Sequence, residues 1–189
     1  MNSDVAHRRP GPSRGSCTAW RHALPALLAV VMLLACASPP PERAAAGGVV
    51  FVVVRHAEKA DASADPELSA AGHARARKLA TRLAGEPLVA IYTTDLHRTR
   101  QTVAPVAAAQ RLQPVLYDPR EPAASFIARL RAAHPGGTVL VAGHSNTVPD
   151  LVAMLCACDV EPMPEHEFDR ISTVRIDAHG DARLEVARY

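Results

Sequence analysis

The chain has 189 residues, of which 48% are hydrophobic and 21% are charged, and this usage suits one globular domain. Its net charge of +2 comes from the N-terminus, because without the first 36 residues 17 Lys and Arg face 18 Asp and Glu. No basic stripe of the kind that binds nucleic acid remains, so a nucleic-acid partner is not expected.

The first 36 residues resemble an export signal rather than part of a fold. Several Arg residues precede an apolar run in "ALPALLAVVMLLACAS", which is as long as a signal-peptide core but shorter than the roughly 20 residues of a membrane span. The segment "LLAC", which ends at Cys36, resembles the lipobox of bacterial lipoproteins. Two outcomes stay open: lipidation at Cys36, or cleavage of an ordinary signal peptide near Ala37. Both predict an exported protein of the cell envelope or periplasm, with membrane contact only through an N-terminal lipid.

Residues 37–47, "ASPPPERAAAG", are rich in Pro and small residues and predict an extended tether. The folded domain is therefore expected to cover residues 48–189. Neither an internal repeat nor a second domain is visible in the sequence.

Apolar runs and helix signals alternate along the domain. The predicted strands cover residues 49–54, 88–93, 114–117, 138–142, 171–176 and 183–187. The predicted helices cover about 70–83, 95–110, 121–133 and 146–156. Ser69 is expected to cap the first helix, and Thr94 or Asp95 the second, which Pro105 would loosen.

This alternation predicts a three-layer α/β/α sandwich with a mostly parallel central sheet. The run "VVFVVV" at residues 49–54 is apolar throughout, as is typical of a parallel strand with both faces buried. The last two strands flank the turn "DAHGD" and are expected to form an antiparallel pair at one edge.

Charged and imidazole side chains stand where two buried strands end. Arg55 and His56 follow the first strand, and His144 follows "TVLVA". Ligands of such sheets bind beyond the carboxyl ends of the strands, so these side chains are expected to meet there. Guanidinium forks match phosphate oxygens but repel a metal ion, and an imidazole can attack phosphorus.

Four segments resemble the histidine phosphatase superfamily, in the branch of the phosphoglycerate mutases and short phosphohistidine phosphatases. They read "VVRHAEK", "LSAAGHARARKLA", "IYTTDLHRTRQTVAPVA" and "TVLVAGHSNTVPDLV", and they follow the order of that family. The resemblance implies a phosphoglycerate mutase-like fold in which His56 becomes phosphorylated and Arg55, Arg98 and His144 bind the phosphoryl group. It also implies a small phosphorylated substrate and no metal or organic cofactor. Ala57 stands where many members have Gly.

The general acid is the point at which the chain departs from the family. The usual Glu-x-x-x-Gly-x-x-Glu pattern is absent from "YDPREPAASF". Glu121 is the nearest candidate by position, although it could equally cap a helix, and Glu58 is the rival. Asp95 is expected to be a helix cap rather than an acid. An enzyme without a strong acid would favour substrates with good leaving groups.

For the other residues that could take part in function, a structural role is expected. Cys156 and Cys158 are expected to be buried or free thiols, with an unusual disulfide as the alternative in an exported protein. The segment "PMPEHEFDR" is expected to be solvated, or else to line the mouth of the site. Gly72 is expected to serve close packing, and Ser145 and Asn146 to begin the last helix. Surface positions are expected for His73, His97, His134, His166 and His179.

These observations predict an exported phosphatase that hydrolyses phosphate monoesters or related phospho-compounds through a phosphohistidine intermediate. The alternative is a lipoprotein of the same fold that binds phosphate or a phospho-ligand without turnover. The sequence leaves open the physiological substrate, the general acid and the oligomeric state.

Overall fold

A computed structural model describes residues 48–189, so the predicted signal peptide, the tether and the lipidation site at Cys36 lie outside the described residues. The strands are β1 Val49–Arg55, β2 Leu88–Thr93, β3 Val115–Leu116, β4 Gly137–Gly143, β5 Arg170–Ile176 and β6 Ala182–Arg188. The helices are α1 Ala70–Arg82, α2 His97–Gln110, α3 Ala123–Ala133 and α4 Val148–Cys156. Within residues 48–189, no helix combines the length and the apolar character that crossing a membrane requires.

The six strands form one sheet in the order β3-β2-β4-β1-β5-β6. The first four are parallel, whereas β5 runs antiparallel to β1 and β6 antiparallel to β5. One apolar cluster packs α3 and α4 against the sheet, and a second packs α1 and α2 against it. The predicted α/β/α sandwich with a mostly parallel sheet is therefore confirmed.

Strand β1 is apolar from Val49 to Val54 because both of its faces are covered. Phe51 and Val53 belong to the cluster with α3 and α4, whereas Val52 and Val54 belong to the cluster with α1 and α2. Alternate residues of a strand point to opposite faces, so each pair meets a different helix layer. The strand is thereby fixed at the centre of the domain, with its polar end Arg55-His56 at one edge of the sheet.

Helix α1 begins as predicted, because the side chain of Ser69 accepts a hydrogen bond from the Gly72 amide at 3.1 Å. The Ser69 amide in turn donates to the carbonyl of Glu58, at 2.9 Å. A Cβ atom at Gly72 would lie 2.3 Å from that same carbonyl oxygen. The predicted close-packing role of Gly72 is confirmed, and it ties α1 to the segment that follows His56.

The predicted cap of α2 is wrong. The helix begins at His97 after Leu96, which offers no side-chain cap. Asp95 instead pairs with Arg100 on the first turn. Thr94 lies deeper, because its hydroxyl is buried at the candidate site described below. The capping residue types were present, but the ion pair of Asp95 with Arg100 and the burial of Thr94 override the capping preference.

Two other helix starts lie further along the chain than predicted. Helix α3 begins at Ala123 after Pro122, so Glu121 precedes the helix, and its carboxylate pairs with Arg129. Helix α4 begins at Val148, since residues 145–147 form a turn.

The two cysteines near the end of α4 are bonded to each other, which corrects the prediction of free thiols. Helix α4 ends at Cys156, and Ala157 takes a left-handed backbone conformation with φ 51°. This turn brings Cys158 back towards Cys156, with 5.2 Å between the Cα atoms.

Candidate active site

Neighbouring parallel strands bring the two predicted histidines together. Strands β1 and β4 pair with Arg55 opposite Gly143, so both strands end at the same edge of the sheet. The ladder continues one step further, because the His56 amide donates to the Gly143 carbonyl at 2.9 Å. The rings of His56 and His144 lie edge to face, with 5.5 Å between their centroids.

All four residues predicted to bind or attack the phosphoryl group line one pocket of about 360 Å³. Its other lining residues are Lys59, Leu96, Pro119, Arg120, Ser145, Asn146, Thr147 and Glu165. A larger groove, of about 590 Å³, lies beside α2 and β3 and contains none of these four. The small pocket, rather than the large groove, therefore holds the chemistry that the sequence predicts.

His56 is buried and held in one tautomer. Its Nδ1 atom lies 2.8 Å from the carbonyl oxygen of Ala57, and a carbonyl can only accept, so Nδ1 carries the proton. The lone pair is then on Nε2. Burial, with smaller contributions from His144 and Arg55, lowers the pKa of His56 to about 4. At neutral pH the ring is uncharged, as a nucleophile requires.

His144 is kept uncharged in the same way. Burial, followed by the charges of Arg98 and Arg55, lowers the pKa of His144 to about 4. Its Nε2 atom lies 3.2 Å from the hydroxyl of Thr94, which in turn lies 2.7 Å from the hydroxyl of Thr99. Thr94 was predicted as a possible helix cap, and its contact with this ring could not be predicted from the sequence.

The loop that joins α4 to β5, residues 157–169, holds the guanidinium of Arg55. Nη1 donates to the carbonyls of Pro164, Glu165 and Glu167 at 3.0, 2.9 and 3.1 Å. The ring centre of Phe168 lies 4.3 Å from the Cζ atom of Arg55, a stacking arrangement that favours the cation. Of the two readings of "PMPEHEFDR", the lining of the site mouth is therefore the correct one.

Ion pairs of Glu167 hold the 157–169 loop in place. The buried carboxylate of Glu167 pairs with Arg170 and with Arg188 at the end of β6. Arg170 also donates to the carbonyls of Glu161 and Pro162, at 2.9 and 3.2 Å. Because a buried carboxylate is stable only when it is paired, this network gives the loop one arrangement against Arg55.

Two guanidinium groups in the pocket keep donors without an acceptor. The Nη1 atom of Arg98 donates to the carbonyl of Ala64 at 3.3 Å and lies 3.6 Å from a carboxylate oxygen of Asp65. The Nε atoms of Arg55 and Arg98 are both buried and have no hydrogen-bond partner among residues 48–189. A buried donor without a hydrogen bond costs free energy, so both Nε atoms are suited to donate to oxygen atoms of an anionic ligand.

Residues that follow Arg98 in its motif hold the segment after His56. The hydroxyl of Thr102 accepts from the Ala57 amide at 2.9 Å. The side-chain oxygen of Gln101 accepts from the Leu68 amide at 2.7 Å. The spacing of this motif thus serves two purposes, because it places Arg98 in the pocket and anchors the segment that follows His56.

Neither predicted acid lies in the pocket lining. Glu58 binds the guanidinium of Arg75 through both carboxylate oxygens. Burial would raise the pKa of Glu58, but the hydrogen bonds from Arg75 outweigh it and lower the pKa. Glu58 is therefore ionised at neutral pH and cannot donate a proton, and Glu121 is occupied by Arg129.

Among the described residues, Glu165 is the one carboxylate that lines the pocket. Its Oε2 atom accepts from Nη2 of Arg55 at 2.8 Å, and its Oε1 atom accepts from the Ser145 hydroxyl at 2.6 Å. The sequence pointed to Glu165 only through the acidic segment "PMPEHEFDR", for which a position at the mouth of the site was the alternative prediction. Within residues 48–189, no group of three or more His, Cys, Asp or Glu side chains could hold a metal ion.

A family model described as "Histidine phosphatase superfamily (branch 1)" matches residues 51–121, which include His56 and Arg98. Over this part of the chain, the match supports the family that the sequence motifs predict. The matched range covers the predicted nucleophile His56 and the predicted phosphate-binding Arg98, whereas His144 and the 157–169 loop lie beyond it. None of the curated protein sequences compared with this chain matches it.

Solved structures share the fold. The protein histidine phosphatase SixA in complex with tungstate is 24% identical, with a TM-score of 0.63 over 74% of this chain and 96% of that one. The mycobacterial glucosyl-3-phosphoglycerate phosphatase is 16% identical, with a TM-score of 0.58 over 74% and 97%. A phosphoglycerate mutase from Bacillus anthracis str. Sterne is 15% identical, with a TM-score of 0.58 over 75% and 93%. At these identities the similarity establishes the phosphoglycerate mutase-like fold, and the domain spans nearly the full length of each neighbour.

The low pKa values of the two site histidines can be measured directly. In an NMR titration with ¹³C-labelled histidine, the ring signals of His56 and His144 are expected to shift with midpoints near pH 4. Protonation would place a cation among buried groups and beside the guanidinium charges. Each ring is therefore protonated only at a pH well below 6.5, the ordinary pKa of histidine. Variants at each histidine assign the two signals. A midpoint at or above pH 6.5 for His56 would contradict the described environment.

Proposed function

We propose that the protein is an exported phosphatase that cleaves phosphate from a small phosphorylated compound through a phosphohistidine at His56. The match to the histidine phosphatase superfamily supports hydrolysis of phospho-compounds. The observation that carries the proposal is the meeting of an uncharged His56 with two buried guanidinium donors that have no acceptor among the described residues. Anion-binding donors beside an uncharged imidazole suit attack on phosphorus.

The proposed first step is an in-line displacement. The Nε2 lone pair of His56 forms a bond to phosphorus, while the bond from phosphorus to the leaving group breaks. The arginines and His144 lie where they can neutralise the charge that develops on the phosphoryl oxygens, which is the main contribution a protein makes to this reaction. The leaving group departs with the electron pair and takes a proton from solvent water. In the second step a water molecule attacks phosphorus and the bond from phosphorus to Nε2 breaks, which returns the lone pair to His56. Phosphate is released, and the proton of the attacking water passes to solvent.

The choice of substrate should follow the lack of a proton donor. Glu165 is the one carboxylate of the lining, and hydrogen bonding from Ser145 lowers its pKa, so it is ionised when a substrate arrives. A positioned acid contributes about 10²- to 10⁴-fold by protonating a poor leaving group. Aryl phosphates and phosphoramidates need that proton least. Among the neighbours, SixA is named a protein histidine phosphatase, and its phosphoramidate chemistry fits this preference.

A phosphatase screen tests the proposal. The protein is incubated with phosphomonoesters, phosphoramidates and polyphosphates, in buffer with and without EDTA, and released phosphate is measured. We expect release from aryl phosphates and phosphoramidates, slower release from alkyl phosphates, and no effect of EDTA. Binding of phosphate without any release would favour the alternative of a phosphate-binding lipoprotein. Loss of activity with EDTA and rescue by zinc or magnesium would indicate a metal-dependent hydrolase.

We also propose that the protein is exported and anchored by a lipid at Cys36. The support is the sequence of residues 1–36, with its arginines, its apolar run and its lipobox-like end. A bacterial host fed radioactive palmitate is expected to label the whole chain, and Cys36→Ser is expected to remove the label. An unlabelled wild-type protein whose mature N-terminus lies beyond Cys36 would instead indicate simple secretion.

A further inference from the structure

We propose that Glu165 is an internal anion that occupies the donors of Arg55 and Ser145 until a phosphoryl group displaces it. The inference rests on the proposed phosphate site and adds a residue that tunes its affinity. The carboxylate of Glu165 bridges two lining side chains of the pocket, at 2.8 Å from Arg55 Nη2 and 2.6 Å from Ser145 Oγ. A charged oxygen on a guanidinium is the contact that a phosphoryl oxygen would make there.

Arg55 does not need this carboxylate for its orientation. Three carbonyl oxygens of the 157–169 loop already accept from Nη1, and the ring of Phe168 covers the guanidinium. The Arg55 side chain is 2% exposed and is therefore locked by its surroundings. Loss of the Glu165 carboxylate would free Nη2 without loosening the rest of the group.

Glu165 can leave at little cost. Its side chain is 82% exposed, whereas that of its partner Arg55 is buried. An exposed carboxylate returns to water without a desolvation penalty, and ion pairs with one exposed partner contribute little to stability. An acceptor that displaces Glu165 from Arg55 must bind the guanidinium more strongly than a carboxylate does. A phosphoryl dianion meets this condition because it carries more negative charge.

A phosphoryl dianion and the Glu165 carboxylate also exclude each other electrostatically. Both would lie within a few ångströms of the same guanidinium, where two like charges repel each other. Inorganic phosphate, the product of the proposed reaction, meets the same competition. Glu165 is therefore expected to weaken product binding as well as substrate binding, which speeds release of phosphate.

Phosphate binding to the full chain tests this role without requiring turnover. Isothermal titration calorimetry gives the dissociation constant of inorganic phosphate for wild type, Glu165→Gln and Glu165→Ala at fixed ionic strength. The matched control is Glu161→Gln, which removes the same charge from the same loop at an exposed position outside the pocket. We expect both Glu165 variants to bind phosphate about tenfold more tightly, and the control to change by less than about twofold, because distant exposed charges are screened.

Each other result overturns the inference in a distinct way. Weaker phosphate binding in both Glu165 variants would mean that the carboxylate orients Arg55. Unchanged phosphate affinity with a lower kcat would mean that Glu165 transfers a proton. Equal effects of Glu161→Gln and Glu165→Gln would reduce the residue to a general contribution of charge. Absence of phosphate binding in wild type and variants alike would remove the phosphate site itself, and with it the proposed function.

Discussion

Replacement of His56 by Ala is expected to lower kcat for an aryl phosphate by at least about 10⁴-fold, since removal of a covalent nucleophile costs this much or more. The proposed intermediate is a bond from phosphorus to Nε2, the ring nitrogen left free when Nδ1 donates to Ala57. Among the described residues of the pocket lining, the other imidazole is that of His144, whose ring interacts with Thr94. The assay is phosphate release, with circular dichroism to confirm that the variant is folded.

The matched control for His56 is His73, an exposed histidine on α1. The change His73→Ala removes an imidazole of the same chain at a distance from the pocket, and kcat is expected to stay within about twofold of wild type. Activity of a folded His56→Ala protein near that of wild type would show that the nucleophile has been misassigned.

Replacement of Arg98 by Ala is expected to lower kcat/KM by about 10²- to 10³-fold, as does loss of one donor that stabilises developing charge in other active sites. Arg98 reaches the pocket from the first turn of α2, with a buried Nε that has no acceptor among the described residues. Arg100→Ala is the control, because Arg100 is exposed on the same helix and pairs with Asp95. Similar losses for both variants would mean that helix charge, rather than a direct contact, is responsible.

The central part of the fold could be predicted because it rests on local apolar patterns. The continuous run of β1 and the run "TVLVA" of β4 indicate strands with two buried faces, and parallel strands end at one edge. From this the meeting of His56 and His144 follows directly, and the structure places their rings 5.5 Å apart. Arg98 could be placed as well, because it lies one helical turn beyond the end of a neighbouring strand.

The errors concern side chains whose partners the periodicity does not reveal. Asp95 and Thr94 are good capping residues, but Asp95 pairs with Arg100 on α2 and Thr94 contacts the ring of His144. Glu58 looked available as an acid because it lies two residues beyond the nucleophile, yet Arg75 on α1 binds it. Periodicity identifies an element, but it does not say which charged side chain a residue will meet across the fold.

The loop 157–169 shows the same limit at the site itself. Its composition is acidic, which is typical of a solvated loop, and no period of two or of 3.6 residues marks it. Its contacts with Arg55 depend on three carbonyl oxygens, which carry no sequence signal. The positions of Glu165 and Phe168 could therefore be learned only from the structure.

The most direct test of the account is to trap the phosphorylated protein. The chain is mixed with a ³²P-labelled aryl phosphate or phosphoramidate, quenched within milliseconds in alkali, digested and mapped by mass spectrometry. The account predicts one labelled peptide, with phosphate on His56, that loses its label in acid, keeps it in alkali and is absent from His56→Ala. Hydrolysis of the substrate without any labelled histidine, or a label on Ser or Asp, would contradict the proposed mechanism.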